Sequence, residues 1–398
     1  METRNGSIVQ VLASSEYPFR LCSFSALDNY LGLPSLPFVF LETNAGITEV
    51  ARIVENLRFP GMEIADGAAD AEDRRWYFRC RDDESSPVYS YNILSLVQDL
   101  KSLRFFDALG IYPQIRSLRG ARSKTANEVI TPDWWEDIHP QAGGMQTLIE
   151  GALILARYEA LDYPPPGFIE ALGPGIENES PPVSETQQVL LMGLMASPRP
   201  DRGLELLKAS GFVEKFWPEI ARLDGVDHSK EFHPEGNAWK HTLQTFSYRK
   251  QTAAGGYDLR LSLALLLHDI GKPLSEGSGN RRFDGHAELG ARAAARFLKR
   301  LNFDPGLTDD VFYLVKNHML PAALARLSPL KTGEIMNSHL FPVLMELYRC
   351  DESSSFKGLE NYYENSAAYQ TYLRNIKNPF RSADGKKLTN HKHRSYHK

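Results

Sequence analysis

The stretch Leu261–Pro273 reads LSLALLLHDIGKP. Leu261, Leu265 and His268 recur at the spacing i, i+4 and i+7, which is one face of an α-helix, and the face is apolar. An imidazole at the end of such a face, followed at once by the Asp269 carboxylate, is costly to bury unless other groups satisfy both. We therefore expect the rest of the chain to bring polar partners to His268 and Asp269.

Composition bounds the class of protein. The chain is 42% hydrophobic and 24% charged, which is ordinary for a globular protein. Its 398 residues are too many for one simple core. The net charge of −5 argues against a surface that is basic throughout, but not against a local basic patch. The three cysteines are far apart and form no C-x-x-C, which fits a reducing compartment. Without a signal-type segment or a stretch of roughly 18 apolar residues, a cytoplasmic protein with no membrane partner is expected.

Residues 1–144 predict a mixed α/β domain. Phe38–Leu41 and Trp76–Cys80 are short apolar runs of strand type. Ile47–Leu57 and Ser95–Leu109 have the pattern of helices. Alternating strands and helices at this spacing are typical of an α/β layer.

An acidic cluster interrupts this domain in the sequence ADGAADAEDRR, and it contains Asp66, Asp70, Glu72 and Asp73. Several carboxylates this close together could bind a metal ion. A solvated acidic loop before a strand explains the same residues. The sequence leaves both interpretations open.

The remaining chain is predicted to be helical. Residues 145–182 read as a neck helix followed by a linker rich in proline, glycine and serine. Residues 183–378 read as an all-α helical bundle, and residues 379–398 as a basic, disordered tail. The expected fold class is therefore α+β overall, with an N-terminal mixed α/β domain before an all-α domain.

Six histidine and aspartate side chains lie on or beside apolar stripes of five successive predicted helices. Each alone has an ordinary explanation, such as a core histidine or half of an ion pair. Together they would meet inside a helical bundle, where metal sites of all-α domains are built. Four imidazoles and two carboxylates suit iron, manganese, nickel, cobalt or zinc better than calcium. The six residues are His241, His268, Asp269, His286, His318 and Asp351.

The order of these residues resembles the H…HD…D signature of the HD superfamily of metal-dependent phosphohydrolases. The sequence HDIGK at 268–272 is one of the common forms of this signature. The signature residues here are His241, His268, Asp269 and Asp351. The resemblance covers residues 233–355 and implies hydrolysis of a phosphoester by water that a metal activates.

The resemblance also implies roles for single residues. One divalent transition metal would be held by the four signature residues, and a second by His286 and His318, with Asp269 as the bridge. Asp269 and Lys272 would be the catalytic residues, with Lys272 placed to contact a phosphate. A lysine interacting with the C-terminal end of its helix explains Lys272 as well. His233 and Glu235 could line the same site.

A wider resemblance covers residues 145–355, which are similar to the neck, body and HD portion of bacterial tRNA nucleotidyltransferases and poly(A) polymerases. The sequence SPRPDRGLELLKASG at 197–211 and the sequence HPEGNAWKHTL at 233–243 contribute to it. The nucleotidyltransferase head of that family carries a Gly-Gly turn and an Asp-x-Asp pair that holds two magnesium ions. This chain has no Gly-Gly before residue 143 and no Asp-x-Asp anywhere. A degenerate, non-polymerising head is therefore expected.

These patterns favour one function and leave two alternatives. The first is a metal-dependent phosphohydrolase acting on a phosphoester of a nucleotide or an RNA end. The alternatives are a tRNA nucleotidyltransferase-related RNA-binding protein, and an atypical nucleotidyltransferase that uses carboxylates such as Asp66 and Asp70. Either alternative makes tRNA a candidate partner.

Overall fold

The apolar strand Phe38–Thr43 is buried along its whole length, and the sheet of this protein is built around it. The computed structural model describes residues 7–80, 96–107, 129–130, 144–158, 179–227, 236–275, 283–355 and 358–388. The chain forms two compact units, one of residues 1–218 with 250–259 and one of residues 219–249 with 260–398.

The first unit contains the strands and the helices of the N-terminal half. Its strands are β1 (Phe19–Cys22), β2 (Phe38–Thr43), β3 (Gly67–Ala71), β4 (Arg74–Cys80), β5 (Leu96–Asp99), β6 (Phe105–Asp107) and β7 (Val129–Ile130). Its helices are α1 (Ile8–Ala13), α2 (Ser23–Leu31), α3 (Ile47–Ile53), α4 (Gly144–Tyr158), α5 (Ser184–Met195), α6 (Pro200–Ala209) and α7 (Phe212–Phe216).

Among the described residues of the second unit, the regular elements are all helices. Its helices are α8 (Pro218–Ala221), α9 (Ala238–Thr245), α10 (Leu259–Leu267), α11 (Lys272–Ser275), α12 (His286–Arg300), α13 (Pro305–Asn317), α14 (Pro329–Met336), α15 (Phe341–Ser353) and α16 (Glu360–Ile376). Three short 3₁₀ helices accompany them at Arg222–Gly225, Phe246–Tyr248 and Pro321–Arg326.

The seven strands form one mixed sheet in the order β3-β4-β2-β1-β5-β6-β7. The pairs β2–β4 and β6–β7 are parallel, and the others are antiparallel. A strand with apolar side chains on both faces fits an inner position in such a sheet. The predicted N-terminal mixed α/β region and C-terminal helical region are confirmed.

The helix predicted at Ser95–Leu109 is wrong in its described part, which forms the β5–β6 hairpin instead. The Asp99 carboxylate accepts hydrogen bonds from the Ser102 amide and hydroxyl, both at 2.7 Å. Leu103 then takes a positive φ of 61°. A side chain that accepts from the backbone two or three residues onward competes with helix formation and favours a turn.

The acidic cluster lies on and around the β3–β4 hairpin. Glu72 and Asp73 have φ values of 54° and 58° at the turn. Asp70 pairs with Arg75 at 2.9 Å, and the Asp66 carboxylate accepts the Cys80 amide at 2.8 Å. Among the described residues, these carboxylates do not form a group that could hold a metal ion. The structure thus gives them roles in a hairpin.

Several predicted features lie outside the described residues. They are residues 131–143 and 159–178 of the connector and linker, the pair His233 and Glu235, and the end of the tail at 389–398. The predicted domain boundaries stay predictions. In the part of the chain that the structure describes, no helix is long and apolar enough to cross a bilayer.

Candidate metal centre

Helix α10 delivers the His-Asp pair to the interior of the second unit. Its residues from Leu261 to Leu267 are all buried, because leucine and alanine occupy every position but one. The helix ends there, and a tight turn follows in which the Lys272 amide donates to the Asp269 carbonyl at 2.9 Å. His268 and Asp269 are 1% and 2% exposed. The apolar run therefore carries an imidazole and a carboxylate into a region where neither is solvated.

Two glycines allow helix α12 to approach this turn. A Cβ atom on Gly271 would lie 2.0 Å from the His286 carbonyl oxygen and 2.5 Å from the Gly290 nitrogen. A Cβ on Gly290 would lie 3.1 Å from the Gly271 nitrogen. Backbone contact this close excludes any side chain at Gly271. The glycine of HDIGK thus sets how near His286 comes to Asp269.

Helix α13 packs against α12 and brings the next imidazole. His318 is the C-terminal cap of α13 and is 2% exposed. Its Nε2 atom lies 3.1 Å from Nε2 of His286. The Asp269 Oδ1 atom lies 3.7 Å from Nε2 of His286. Asp269, His286 and His318 form one group of potential metal ligands, whose donor atoms all lie within 4.8 Å of one another.

A second group forms on the other side of Asp269. His241 projects from α9, and its Nε2 atom lies 2.9 Å from Oδ1 of Asp351, on α15. His268 completes the group, and its Nε2 atom is 3.9 Å from the same carboxylate oxygen. Asp269 faces both groups, because its Oδ2 atom is 3.4 Å from Nε2 of His268 while Oδ1 faces His286. This placement fits a carboxylate that bridges two ions.

The ring protons of three histidines are fixed by backbone carbonyls. The Nδ1 atoms of His268, His286 and His318 lie 2.8, 2.9 and 2.7 Å from the carbonyl oxygen three residues earlier. Burial would lower the pKa of His268, but the neighbouring Asp269 charge outweighs it and raises that pKa. A carbonyl can only accept, so each Nδ1 carries the proton, and each ring presents a lone pair at Nε2 whenever it is neutral. This is how protein histidines are prepared to bind metals.

In this arrangement, hydrogen-bond acceptors face other acceptors. The Nε2 atoms of His286 and His318 both carry lone pairs, so they cannot hydrogen-bond across their 3.1 Å separation. Protonation is disfavoured, because burial lowers the pKa of His286 and lowers that of His318 to about 4. The buried Nε2 of His268 has no hydrogen-bond partner among the described residues. A cation between these atoms would satisfy them, so the donor set fits bound metal ions.

The carboxylates of the centre are held ionised. Burial alone would raise the pKa of Asp269, but the charges of His268 and Lys272 outweigh it and the pKa is well below its usual range. The Lys272 ammonium lies 2.6 Å from Oδ2 of Asp269. Burial would also raise the pKa of Asp351, but His241 and His268 lower it. Ionised carboxylates are the form that binds metal.

A cavity of about 560 Å³ opens onto the centre. All the predicted ligands except His268 line it, together with Lys272. Sequence reasoning did not assign the remaining wall residues to the site. They include Phe283, Asp284, Met319, Glu352 and Ser355.

The structure brings all six predicted ligands together, along a row of four imidazole rings. Ring centroids are 5.5 Å apart from His241 to His268, 5.6 Å from His268 to His318, and 5.0 Å from His318 to His286. The predicted Lys272 is also at the centre, paired with Asp269. One contributor was missed. It is Ser354, which contacts His241.

Part of the chain is similar to a known protein family. Residues 239–346 match the family model described as the HD domain. The match ends before Asp351 and includes the other five candidate ligands. The predicted resemblance to the HD superfamily is confirmed.

The sequence relatives are tRNA nucleotidyltransferases. The chain is 36% identical over 132 residues to a Multifunctional CCA protein of Halorhodospira halophila, covering 33% of this chain and 31% of that protein. It is 36% identical over 145 residues to a CC-adding tRNA nucleotidyltransferase of Thermus thermophilus, covering 35% and 33%. The chain thus spans about a third of the length of these curated relatives. The predicted resemblance to tRNA nucleotidyltransferases is confirmed over that part.

Solved structures give a weaker likeness. A tRNA nucleotidyltransferase complexed with a primer tRNA and an incoming ATP analog aligns with 93% of this chain and 99% of its own, at 11% identity and a TM-score of 0.41.

Proposed function

We propose that this protein is a metal-dependent phosphohydrolase that cleaves a phosphoester of a nucleotide or an RNA end at its HD domain. One observation carries the proposal. Two groups of potential ligands lie side by side, and Asp269 of one group is 3.4 Å from His268 of the other. Within the first of these groups, the Nε2 atoms of His286 and His318 face one another across 3.1 Å. Such a cluster is unfavourable without a cation and suitable with one.

Each group would hold one divalent transition metal ion. His241, His268 and Asp351 would bind the first, His286 and His318 the second, and Asp269 would bridge them. The bound ions would polarise the phosphate and activate a water molecule for attack. Nitrogen and carboxylate ligands favour iron, manganese, cobalt, nickel or zinc.

The protein's own side chains would position the substrate. Lys272 lines the cavity and would exchange its contact with Asp269 for a phosphate oxygen once a metal neutralises that carboxylate. The Asp351 side chain is 27% exposed towards the cavity, while that of Asp269 is only 3% exposed. Substrate would therefore approach from the Asp351 side, and Asp269 would stay dry beneath it.

RNA, and tRNA in particular, is the substrate class that the relatives suggest. One of them is named a Multifunctional CCA protein and another a CC-adding tRNA nucleotidyltransferase. An RNA 3′ end carries phosphoesters of the kind that an HD site cleaves. This part of the proposal rests on similarity over about a third of the chain.

The test joins metal content to hydrolysis in the full, untagged chain. Mass spectrometry would count bound metals after loading with manganese, nickel or iron, and nucleotides and RNA ends with 2′,3′-cyclic phosphates would be screened as substrates. The tail histidines, His391, His393 and His397, could bind stray metal. The informative quantity is therefore the difference between wild type and Asp269→Ala. We expect one or two more metal ions in the wild type, with hydrolysis lost in the variant. Equal metal content and no hydrolysis would refute the proposal.

A second candidate is an RNA-binding or nucleotide-adding relative of the tRNA nucleotidyltransferases. The sequence comparisons support this kinship more directly than they support hydrolysis. The buried strand β2, with its sequence FVFLET, offers no Asp-x-Asp pair for a two-metal clamp. Transfer of labelled nucleotide to a tRNA end would establish addition. Retention of tRNA without transfer or hydrolysis would establish a binding role.

A further inference from the structure

Ser354 follows helix α15 and joins two ligands of the candidate metal centre. Its side chain is buried, with 3% of the residue exposed. The Oγ atom lies 3.1 Å from Nδ1 of His241 and donates to the Asp351 carbonyl at 2.6 Å. One hydroxyl thus connects ligands that come from two separate helices.

The direction of these bonds follows from the number of protons. A hydroxyl has one hydrogen, and here the Asp351 carbonyl takes it, since a carbonyl can only accept. The Ser354 oxygen must then accept from His241, so Nδ1 of His241 carries a proton. In a neutral ring this leaves the lone pair at Nε2, which faces Oδ1 of Asp351 at 2.9 Å.

The Nδ1 proton of His241 is held by a side chain, and not by a backbone carbonyl, because of where His241 lies in its helix. His286 is the first residue of its helix, and His268 and His318 follow the ends of theirs. At helix ends, an imidazole can reach a backbone carbonyl three residues earlier. His241 lies inside α9, where backbone carbonyls are committed to the helix's own hydrogen bonds.

We infer that Ser354 is a positioning residue that holds His241 in the tautomer able to bind a metal at Nε2 and fixes it against Asp351. The inference rests on the proposed metal centre. Without Ser354, the tautomer with its proton at Nε2 gains a hydrogen bond to Asp351, and that proton occupies the place of the metal.

The test compares two neighbouring serines. Ser354→Ala removes the contact with His241, whereas Ser353→Ala removes a similar hydroxyl that donates only to the Arg349 carbonyl at 2.6 Å. Manganese or zinc affinity would be measured by competition with a chelator. We expect Ser354→Ala to weaken binding of one ion by about 10–100-fold, the usual cost of losing a partner of a metal-binding histidine. Ser353→Ala should bind both ions as the wild type does, and Ser354→Thr should restore most of the affinity.

A second readout does not depend on metal binding. In metal-free protein with ¹⁵N-labelled histidine, the Nδ1 proton of His241 should exchange slowly with water. It should exchange fast in Ser354→Ala and slowly again in Ser354→Thr. The His241 signal is assigned by its absence in His241→Gln.

The outcomes separate this inference from the proposed function. If the wild type binds no metal, the proposed function fails, and the exchange of the Nδ1 proton still decides the role of Ser354. Unchanged affinity and unchanged exchange in Ser354→Ala would overturn the inference. Equal losses in Ser353→Ala and Ser354→Ala would also overturn it, because they would indicate general damage to the end of α15. Should Ser354→Ala fail to fold, Ser354→Cys, a poor acceptor of similar size, should show the same two changes.

Discussion

Two clusters of ionisable side chains, one in each unit and each around a buried carboxylate, differ in how their polar atoms are satisfied. In the first unit, three donors converge on one oxygen of Glu185. The Tyr77 hydroxyl donates at 2.6 Å, Arg58 at 2.8 Å and Arg75 at 3.1 Å. This Glu185 cluster, formed by Arg58, Arg75, Tyr77 and Glu185, satisfies itself with its own protons.

The candidate metal centre in the second unit has too few protons in the right places. Its Nε2 atoms face one another or face carboxylate oxygens, and their own ring protons are committed to carbonyls and to Ser354. A buried polar group left in this state costs free energy, roughly 1–3 kcal/mol for each group. The contrast teaches that burial of charge alone does not indicate a site. The indicator is a cluster in which buried imidazole acceptors face one another.

The largest expected effect comes from the shared carboxylate. Asp269→Asn keeps the shape of the side chain and removes the charge between the two groups. We expect metal content to fall for both ions, and hydrolysis to fall by more than the ~10–100-fold typical of losing an indirect partner. Mass spectrometry and initial rates measure the two quantities.

The matched control is Asp284→Asn. Asp284 lines the same cavity but belongs to neither ligand group. It should retain both metals. If Asp269→Asn retains both metals as Asp284→Asn does, Asp269 is not a metal ligand, and the contrast with the Glu185 cluster fails.

The next effect tests the facing nitrogens directly. His318→Gln replaces one lone pair with an amide that can donate to His286. Losing the bond from Nδ1 to the Val315 carbonyl costs about 1 kcal/mol, and relief of the repulsion should offset it. In EDTA the variant should therefore unfold at nearly the wild-type temperature. Metal should stabilise the wild type by about 2.7 kcal/mol at a hundredfold excess over Kd, and the variant by clearly less.

Thermal unfolding of the wild type and of His318→Gln, each in EDTA and in manganese, gives the four unfolding temperatures to compare. A variant that is strongly destabilised in EDTA would show that His318 is a structural core histidine.

The contrast between the clusters also explains what the sequence could predict. His268, His286, His318 and Asp351 interrupt apolar helical stripes, and such interruptions can be read from spacing alone. The HDIGK motif then orders them. The Glu185 cluster leaves no such pattern, since its members come from one strand, a helix and a segment between a helix and a strand.

The role of Ser354 could not be predicted from the sequence. It stands in the run Ser353–Ser355, and nothing in the sequence distinguishes it from its neighbours. Its role depends on which hydroxyl at the end of α15 reaches His241 on α9. The hairpin at Asp99 was missed for a related reason, because a single carboxylate that accepts from Ser102 outweighed an apolar spacing of helical type.

The Glu185 cluster predicts a stability effect that does not depend on metal. Burial would raise the pKa of Glu185, but hydrogen bonds from Arg58 and Tyr77 and the charge of Arg75 outweigh it and lower the pKa below its ordinary 4.5. A lowered pKa in the folded state stabilises the protein fully above 4.5, and this contribution is lost as the pH falls through the folded value. Glu185→Gln should therefore lower the free energy of unfolding by about 1–3 kcal/mol at pH 7.

Urea denaturation between pH 3 and pH 7, with EDTA and with manganese, checks this. The difference between wild type and variant should shrink below about pH 4.5 and should be the same in both media. A difference that appears only with manganese would mean that the Glu185 cluster is linked to the metal centre.

The smallest expected effect separates the two explanations of Lys272. As a phosphate contact, Lys272 should contribute to kcat/KM, and Lys272→Gln should lower it about tenfold, equivalent to 1.4 kcal/mol, while both metals stay bound. As a helix-end lysine it should affect stability only. Lys316→Gln is the control, because Lys316 pairs with Glu288 on the surface and does not line the cavity. A loss of metal in Lys272→Gln would contradict both explanations. The Lys272 ammonium would then be needed to hold Asp269 in place. The metal centre would in that case depend on a hydrogen-bond donor of the protein, as the Glu185 cluster does.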